Sequence, residues 1–252
     1  MLRVSYASAA APDPTGRANE DYVLAGPSWV VVLDGATPAP GVAPGCRHGV
    51  PWLVRTLAGA LAPGMDGGDP LPEVLAAAIT ATMKAHDGSC DLGNPHSPSA
   101  TVALTRHDGD RLEYLVLCDA AVVLWRRDGS VTVVRDDRLD HLPGGRPYSL
   151  ELVASTRNRP GGFWVASTCP EAADQALTGA APVRELRGAA LFTDGVTRLA
   201  DWYGRAWESL AAGAAEPEQL LADVREQELA RGVPRGKPHD DATAVWVTFP
   251  PG

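Results

Sequence analysis

Aspartates interrupt apolar runs at four places in this chain, and those positions are where its residues are equipped for chemistry. Asp34 ends Val30-Val31-Val32-Leu33 and is followed by Gly35, and Asp119 closes the run LEYLVLC. Asp194 ends AALFT and again precedes a glycine, Gly195, while Asp240 and Asp241 stand directly before ATAVWVTF. A single Asp-Gly pair is an ordinary turn former. Four acids at the ends of apolar strands form a different pattern, because strand ends of antiparallel sheets can share one edge and gather distant acids there. Unpaired carboxylates brought together repel, raise one another's pKa and destabilise the fold, and a divalent cation removes that penalty. An all-oxygen donor set without His or Cys suits the hard ions Mg²⁺ or Mn²⁺ rather than zinc. Glu20 and Asp21, just ahead of Tyr22-Val23-Leu24, add two more acids. Gly35 would let a backbone carbonyl approach an ion closely.

The elements that must position these acids are legible from periodicity. Residues 2–7 alternate and predict a strand, and Tyr22–Leu24 and Trp29–Leu33 around Gly26-Pro27 predict a hairpin whose second strand is buried on both faces. Apolar stripes at helical spacing predict helices over 48–62 and 71–86. Ala100–Thr105, Leu112–Leu117, Ala121–Trp125 and Val131–Val134, broken by Asp-Gly or Gly turns, read as a β-meander. A short helix near 148–156, a buried strand at Ala189–Thr193, a helix over 216–231 and a final strand at Thr243–Phe249 follow. Strand blocks and helices fall in separate groups, so antiparallel α+β fits better than βαβ. No internal repeat or long linker divides the chain, and a single domain over 1–252 is expected.

Composition narrows the partners. Thirty-one acidic against 22 basic residues give a net charge of −9 over 252 residues, and only Lys84 and Lys237 are lysines. Such a surface repels phosphate backbones and anionic lipid, so neither nucleic acid nor membrane is expected as a partner. No apolar stretch approaches the ~18 residues of a membrane span, and the N-terminus lacks the apolar core of a secretion signal, so a cytoplasmic location is expected. Cys46, Cys90, Cys118 and Cys169 form no C-x-x-C pair and are read as free thiols rather than a zinc or redox motif. C-x5-R, a P-loop, G-x-G-x-x-G and G-x-S-x-G are absent, and Asp34-Gly35-Ala36-Thr37 and Asp194-Gly195-Val196-Thr197 lack the second acid of an aspartyl-nucleophile D-x-D.

The acidic motifs follow one another as Asn19-Glu20-Asp21, Asp34-Gly35, Ser99-Ala100-Thr101, Asp119, Thr193-Asp194-Gly195 and Asp240-Asp241-Ala242-Thr243. Their order and wording resemble the metal-dependent type 2C Ser/Thr protein phosphatases, bacterial members included, over residues 3 to 249. The resemblance implies an α-β-β-α sandwich: two antiparallel sheets, flanked by helix pairs, with the metals at one end. It implies that Asp34 bridges two Mg²⁺ or Mn²⁺ ions, that the Gly35 carbonyl ligates one, and that Asp194 and Asp240 ligate the other. Asp34, Asp194 and Asp240 are thus the catalytic acids. Glu20 and Asp21 would act mainly through bound water, Asp119 would help Asp194 hold a third ion, and Arg17 would clamp phosphate. The implied partner is a phosphorylated protein met by a monomer, in signalling, and the implied reaction is direct hydrolysis.

The sequence departs from the family pattern in several places. The usual GDS reads Cys118-Asp119-Ala120, and Ala36-Thr37-Pro38 stand where a histidine and a glycine pair occur in members of the family. His48 and His239 are the candidates for the missing acid. Arg17 lies three residues before Glu20 rather than four, and 140–185 lacks the SR-x-x-GD motif. Two other readings stay open at this point: a non-catalytic binding or regulatory module of the same fold, and a phosphatase of small phosphorylated metabolites.

Overall fold

The computed structural model describes residues 1–13, 16–38 and 41–249. Ten strands form two five-stranded antiparallel sheets. One has the order β1 (Arg3–Ala9), β10 (Ala242–Thr248), β9 (Leu186–Phe192), β6 (Ala121–Arg126), β7 (Val131–Arg135). The other has the order β2 (Tyr22–Ala25), β3 (Trp29–Ala36), β4 (Ser99–Asp108), β5 (Arg111–Leu117), β8 (Leu177–Pro182). Helices α1 (Val50–Met65) and α2 (Leu71–Ala85) cover the second sheet. The first sheet is covered by three helices, α4 (Asp194–Asp201), α5 (Trp207–Gly213) and α6 (Pro217–Arg231). A short α3 (Leu150–Thr156) lies in the segment between β7 and β8. The architecture is the expected four-layer α+β sandwich, with three helices rather than two on one outer face.

Alternation along the strands builds the layers. In β3, Val30 and Val32 enter the core between the sheets, while Val31 and Leu33 pack under α1 and α2. All four are fully buried, each contributing roughly 1.5–3 kcal/mol through burial. In β9, Ala189 and Leu191 face the other sheet and Ala190 and Phe192 face the helices. In β10 the same division separates Val245 and Val247 from Ala242 and Ala244.

The predicted meander is corrected. β4 and β5 form one hairpin and β6 and β7 another, but they lie in different sheets. The chain crosses between sheets at Cys118-Asp119-Ala120, and Cys118 takes a left-handed backbone there, with φ 65°. Local turn signals define each hairpin and carry no information about which sheet a hairpin joins. β8, an exposed edge strand with glycine and proline in LTGAAP, and the short α4 and α5 have no sequence expectation at all.

Candidate active site

Period-two alternation continues past the strand ends and fixes what meets there. Asp34 follows Leu33, so it lies on the inter-sheet side of β3 opposite Thr101 of β4. By the same parity Thr193, after β9, and Thr243, in β10, turn toward the other sheet. Both donate their hydroxyls to Asp21 Oδ2, at 3.0 and 2.7 Å. Asp21 immediately precedes β2, so this buried pair of bonds ties one sheet to the other at the edge where Asp34 lies. Asp194 begins α4 and Asp240 and Asp241 precede β10, at the same end of the first sheet. Asp119 enters from the crossover.

The electrostatics show the convergence. Burial, then the charges of Asp21, Asp194, Asp119 and Asp240, hold the Asp34 carboxyl well above its ordinary range. Burial with the charges of Asp240 and Asp119 pushes Asp194 up to about 7, against the opposing pull of Arg198. Asp21 also rises to about 7 through burial, although its threonine hydrogen bonds work the other way. Asp119 is raised by burial and partly relieved by Arg146, whose Nη2 lies 3.7 Å from Oδ2, and by Arg135. Asp21 Oδ1 is buried without a hydrogen-bond partner, and neither the Asp34 nor the Asp194 carboxylate is hydrogen-bonded among the described residues. Hard oxygen donors that destabilise one another and leave lone pairs unmatched fit a divalent cation. Among the described residues no three of these acids bring one oxygen each within 4.8 Å of one another.

The remaining expected residues are more engaged. Asp240 accepts from Arg198 Nη2 at 2.9 Å and from Lys237 Nζ at 3.3 Å. Arg198 also pairs with Glu228 at 2.7 Å, whose side chain is fully buried. Asp241 is a structural acid, accepting from the backbone N–H groups of Ala11 and Glu20, both at 2.7 Å. Glu20 is buried and takes hydrogen bonds from Arg17 Nη2, at 2.7 Å, and from the Thr37 hydroxyl. Burial raises its carboxyl, and Thr37 and Arg17 oppose that. Arg17 thus sits at the edge of the cluster, where Lys237, His239, Asp240 and Asp241 line a groove of about 220 Å³ with it.

Both Asp-Gly glycines are required by close approach. A Cβ on Gly195 would overlap the Asp241 carbonyl oxygen, and one on Gly35 would overlap Val50 Cγ1 and crowd the Glu20 carbonyl. Of the two histidine candidates, His239 borders the groove with Nδ1 2.7 Å from Glu228 Oε2. His48 is engaged elsewhere, stacked on Trp52 at 3.9 Å. Sequence reasoning missed Arg146, Arg198 and Lys237, because a cation reveals its carboxylate partner only once the chain has folded.

Two stacked antiparallel sheets between helices carry a carboxylate cluster at one edge, a donor set suited to divalent metal. A family model, protein phosphatase 2C, matches residues 14–231, and the chain belongs to that family. It is therefore a protein phosphatase that depends on divalent metal. The fold is similar to that of the Mycobacterium tuberculosis serine/threonine phosphatase PstP/Ppp, with TM-score 0.61 and 19% identity over 98% of each chain. PppA of Pseudomonas aeruginosa gives 0.62 and 18% over 98% of this chain and 97% of that one. Stp1 of Staphylococcus aureus, a serine/threonine phosphatase, gives 0.61 and 12% over 100% and 96%. No curated protein sequence matches the chain.

Proposed function

We propose that this chain hydrolyses phosphoserine and phosphothreonine esters of proteins, using two Mg²⁺ or Mn²⁺ ions held by Asp34, the Gly35 carbonyl, Asp194 and Asp240. Asp119 would share a further ion with Asp194. The observation that carries the reading is the group of mutually destabilising carboxylates at one sheet edge, with Asp21 Oδ1 buried and unmatched. When bound, such ions lower the pKa of water and neutralise charge on a phosphoryl group.

The chain's own residues do the rest. Arg17 and Lys237 put two cations on the groove beside the acids, where a phosphate dianion gains from both. The Arg198 bridge from Glu228 to Asp240 holds that carboxylate in one orientation. Thr193 and Thr243 fix Asp21. His239, held by Glu228, is placed to give a proton to a leaving alkoxide at the groove. On this reading the chain is one catalytic domain, acting as a cytoplasmic monomer on phosphoproteins and not on nucleic acid or membranes. Among the described residues no helix is long and apolar enough to cross a membrane.

The test compares phosphate release from phosphothreonine and phosphoserine peptides with release from free small phosphoesters, in Mg²⁺ and in Mn²⁺. A higher kcat/KM on the peptides supports the reading. Fast turnover of free phosphoesters without preference for peptides would overturn it in favour of a metabolite phosphatase.

A further inference from the structure

The tightest gathering of metal-donor atoms among the described residues lies away from the carboxylates. Cys46, His48, His86 and Cys90 bring one donor atom each within 4.8 Å of all the others. Cys46 and Cys90 are free thiols, as expected, but the fold brings their sulfurs to 3.1 Å from each other. The sequence signal was Cys46-x-His48 together with His86-x3-Cys90, two short pairs whose approach only the packing of α1 against α2 creates.

We propose that these four residues form a Cys₂His₂ site for a structural zinc ion. Zinc takes four tetrahedral ligands, with Zn–S about 2.3 Å and Zn–N about 2.0–2.1 Å, which sets edges of about 3.3 Å between nitrogens, about 3.5 Å from nitrogen to sulfur and about 3.8 Å between sulfurs. Here the two Nδ1 atoms are 3.3 Å apart. Cys46 Sγ lies 3.7 Å from His48 Nδ1 and 3.6 Å from His86 Nδ1, and Cys90 Sγ lies 3.5 Å from His48 Nδ1. Four edges match to about 0.2 Å, and the sulfur pair is about 0.7 Å closer than the ideal edge. That pair is still far too long for a disulfide, whose bond is about 2.05 Å.

The surroundings suit a closed structural site. Trp52 stacks on the His48 ring at 3.9 Å and meets the His86 ring edge-on at 4.7 Å, fixing both imidazoles. The His48 backbone N–H donates to Cys46 Sγ at 3.3 Å, and Asp91 N–H donates to the Gly45 carbonyl at 2.8 Å, tying the two ligand segments together. Of the four residues only His86 is buried and the others are half-buried, and two thiolates and a dication sum to zero charge, so no unpaired ion is left there. Soft sulfur with imidazole in a tetrahedral set selects zinc over the hard ions of the carboxylate edge.

Placement gives the site a role. Cys46 and His48 precede Gly49, the N-cap of α1, while His86 caps the C-terminus of α2 and Cys90 follows it. The ion therefore staples the start of α1 to the end of α2. The first residue of α1, Val50, packs against Gly35 beside Asp34. The staple thus holds the segment that leaves the catalytic edge.

The test uses the full chain, produced with added zinc and purified under reducing, chelator-free conditions. Elemental analysis is expected to find one zinc per chain that a thiol-blocking mercurial releases. Cobalt(II) in its place should show thiolate charge-transfer absorption and the intense visible bands of a tetrahedral ion. Asp34→Asn should keep both signatures and Cys46→Ser/Cys90→Ser should lose both. The cobalt spectrum is read on the wild-type chain, so it stands even where the double variant fails to fold. Zinc below a tenth of an equivalent or a weak six-coordinate cobalt spectrum would overturn the assignment.

Discussion

Asp194→Asn removes one charge from the cluster and keeps the shape of the side chain. In the metal-free protein the Asp194 carboxyl is raised from 3.8 to about 7 by burial and by its neighbours Asp240 and Asp119. That shift corresponds to about 4 kcal/mol against the ionised form at high pH. Relaxation of neighbouring acids roughly halves it, to about 2 kcal/mol. The sign follows from linkage. A carboxyl with a raised folded-state pKa stabilises the fold below about pH 4, and that contribution is lost as the pH rises through about 7. In EDTA at pH 8, Asp194→Asn should therefore melt about 4–8 °C above wild type, since about 2 kcal/mol moves the Tm of a chain this size by that much. At pH 5 the gap should shrink to a few degrees. With Mn²⁺ at pH 8 the order should reverse, because the wild type gains from binding and the variant loses a ligand. Differential scanning calorimetry over the four conditions reads all of this. A variant less stable than wild type in EDTA at pH 8 would refute the claim that these acids repel one another.

Three further perturbations address neighbouring parts of the site. Gly195→Ala drives a methyl into the Asp241 carbonyl oxygen, so it should cost about 1–3 kcal/mol in urea unfolding and, by displacing Asp194, lower kcat about 100-fold. Arg198→Ala takes one of two arginine partners from the fully buried Glu228 and frees Asp240, and a loss of about 3 kcal/mol is expected by chemical denaturation. Arg17→Ala should raise KM for phosphopeptide about 10-fold with kcat changed far less, as loss of one charge-assisted contact worth about 1.5 kcal/mol predicts; steady-state kinetics separates the two parameters.

The sequence was most informative where burial is two-sided or periodic. β3 was legible because Val30 to Leu33 feed both cores in alternation, and α1 because its stripe packs on one sheet face. β8 was invisible because an exposed edge strand carries no apolar run. The sheet change at Cys118 was invisible because pairing partners are chosen by tertiary packing. That turn explains one departure from the family pattern: where the family has glycine, Cys118 adopts φ 65° with its side chain buried against Leu142, Phe163 and Val165. At the site, the acids announced themselves by interrupting strands. Their neutralising and orienting partners, Arg198, Arg146 and Lys237, did not, since a surface-type residue looks the same in sequence whether or not it meets a carboxylate.

The most direct measurement is phosphate release from a phosphothreonine peptide by wild type and Asp34→Asn, in EDTA and across a Mn²⁺ titration. The account predicts no turnover in EDTA, saturable activation by Mn²⁺ in the wild type, and a loss of at least about 100-fold in Asp34→Asn at saturating metal. Turnover that persists in EDTA, or an Asp34→Asn enzyme as active as wild type, would contradict the assignment of the carboxylate edge as the catalytic metal centre.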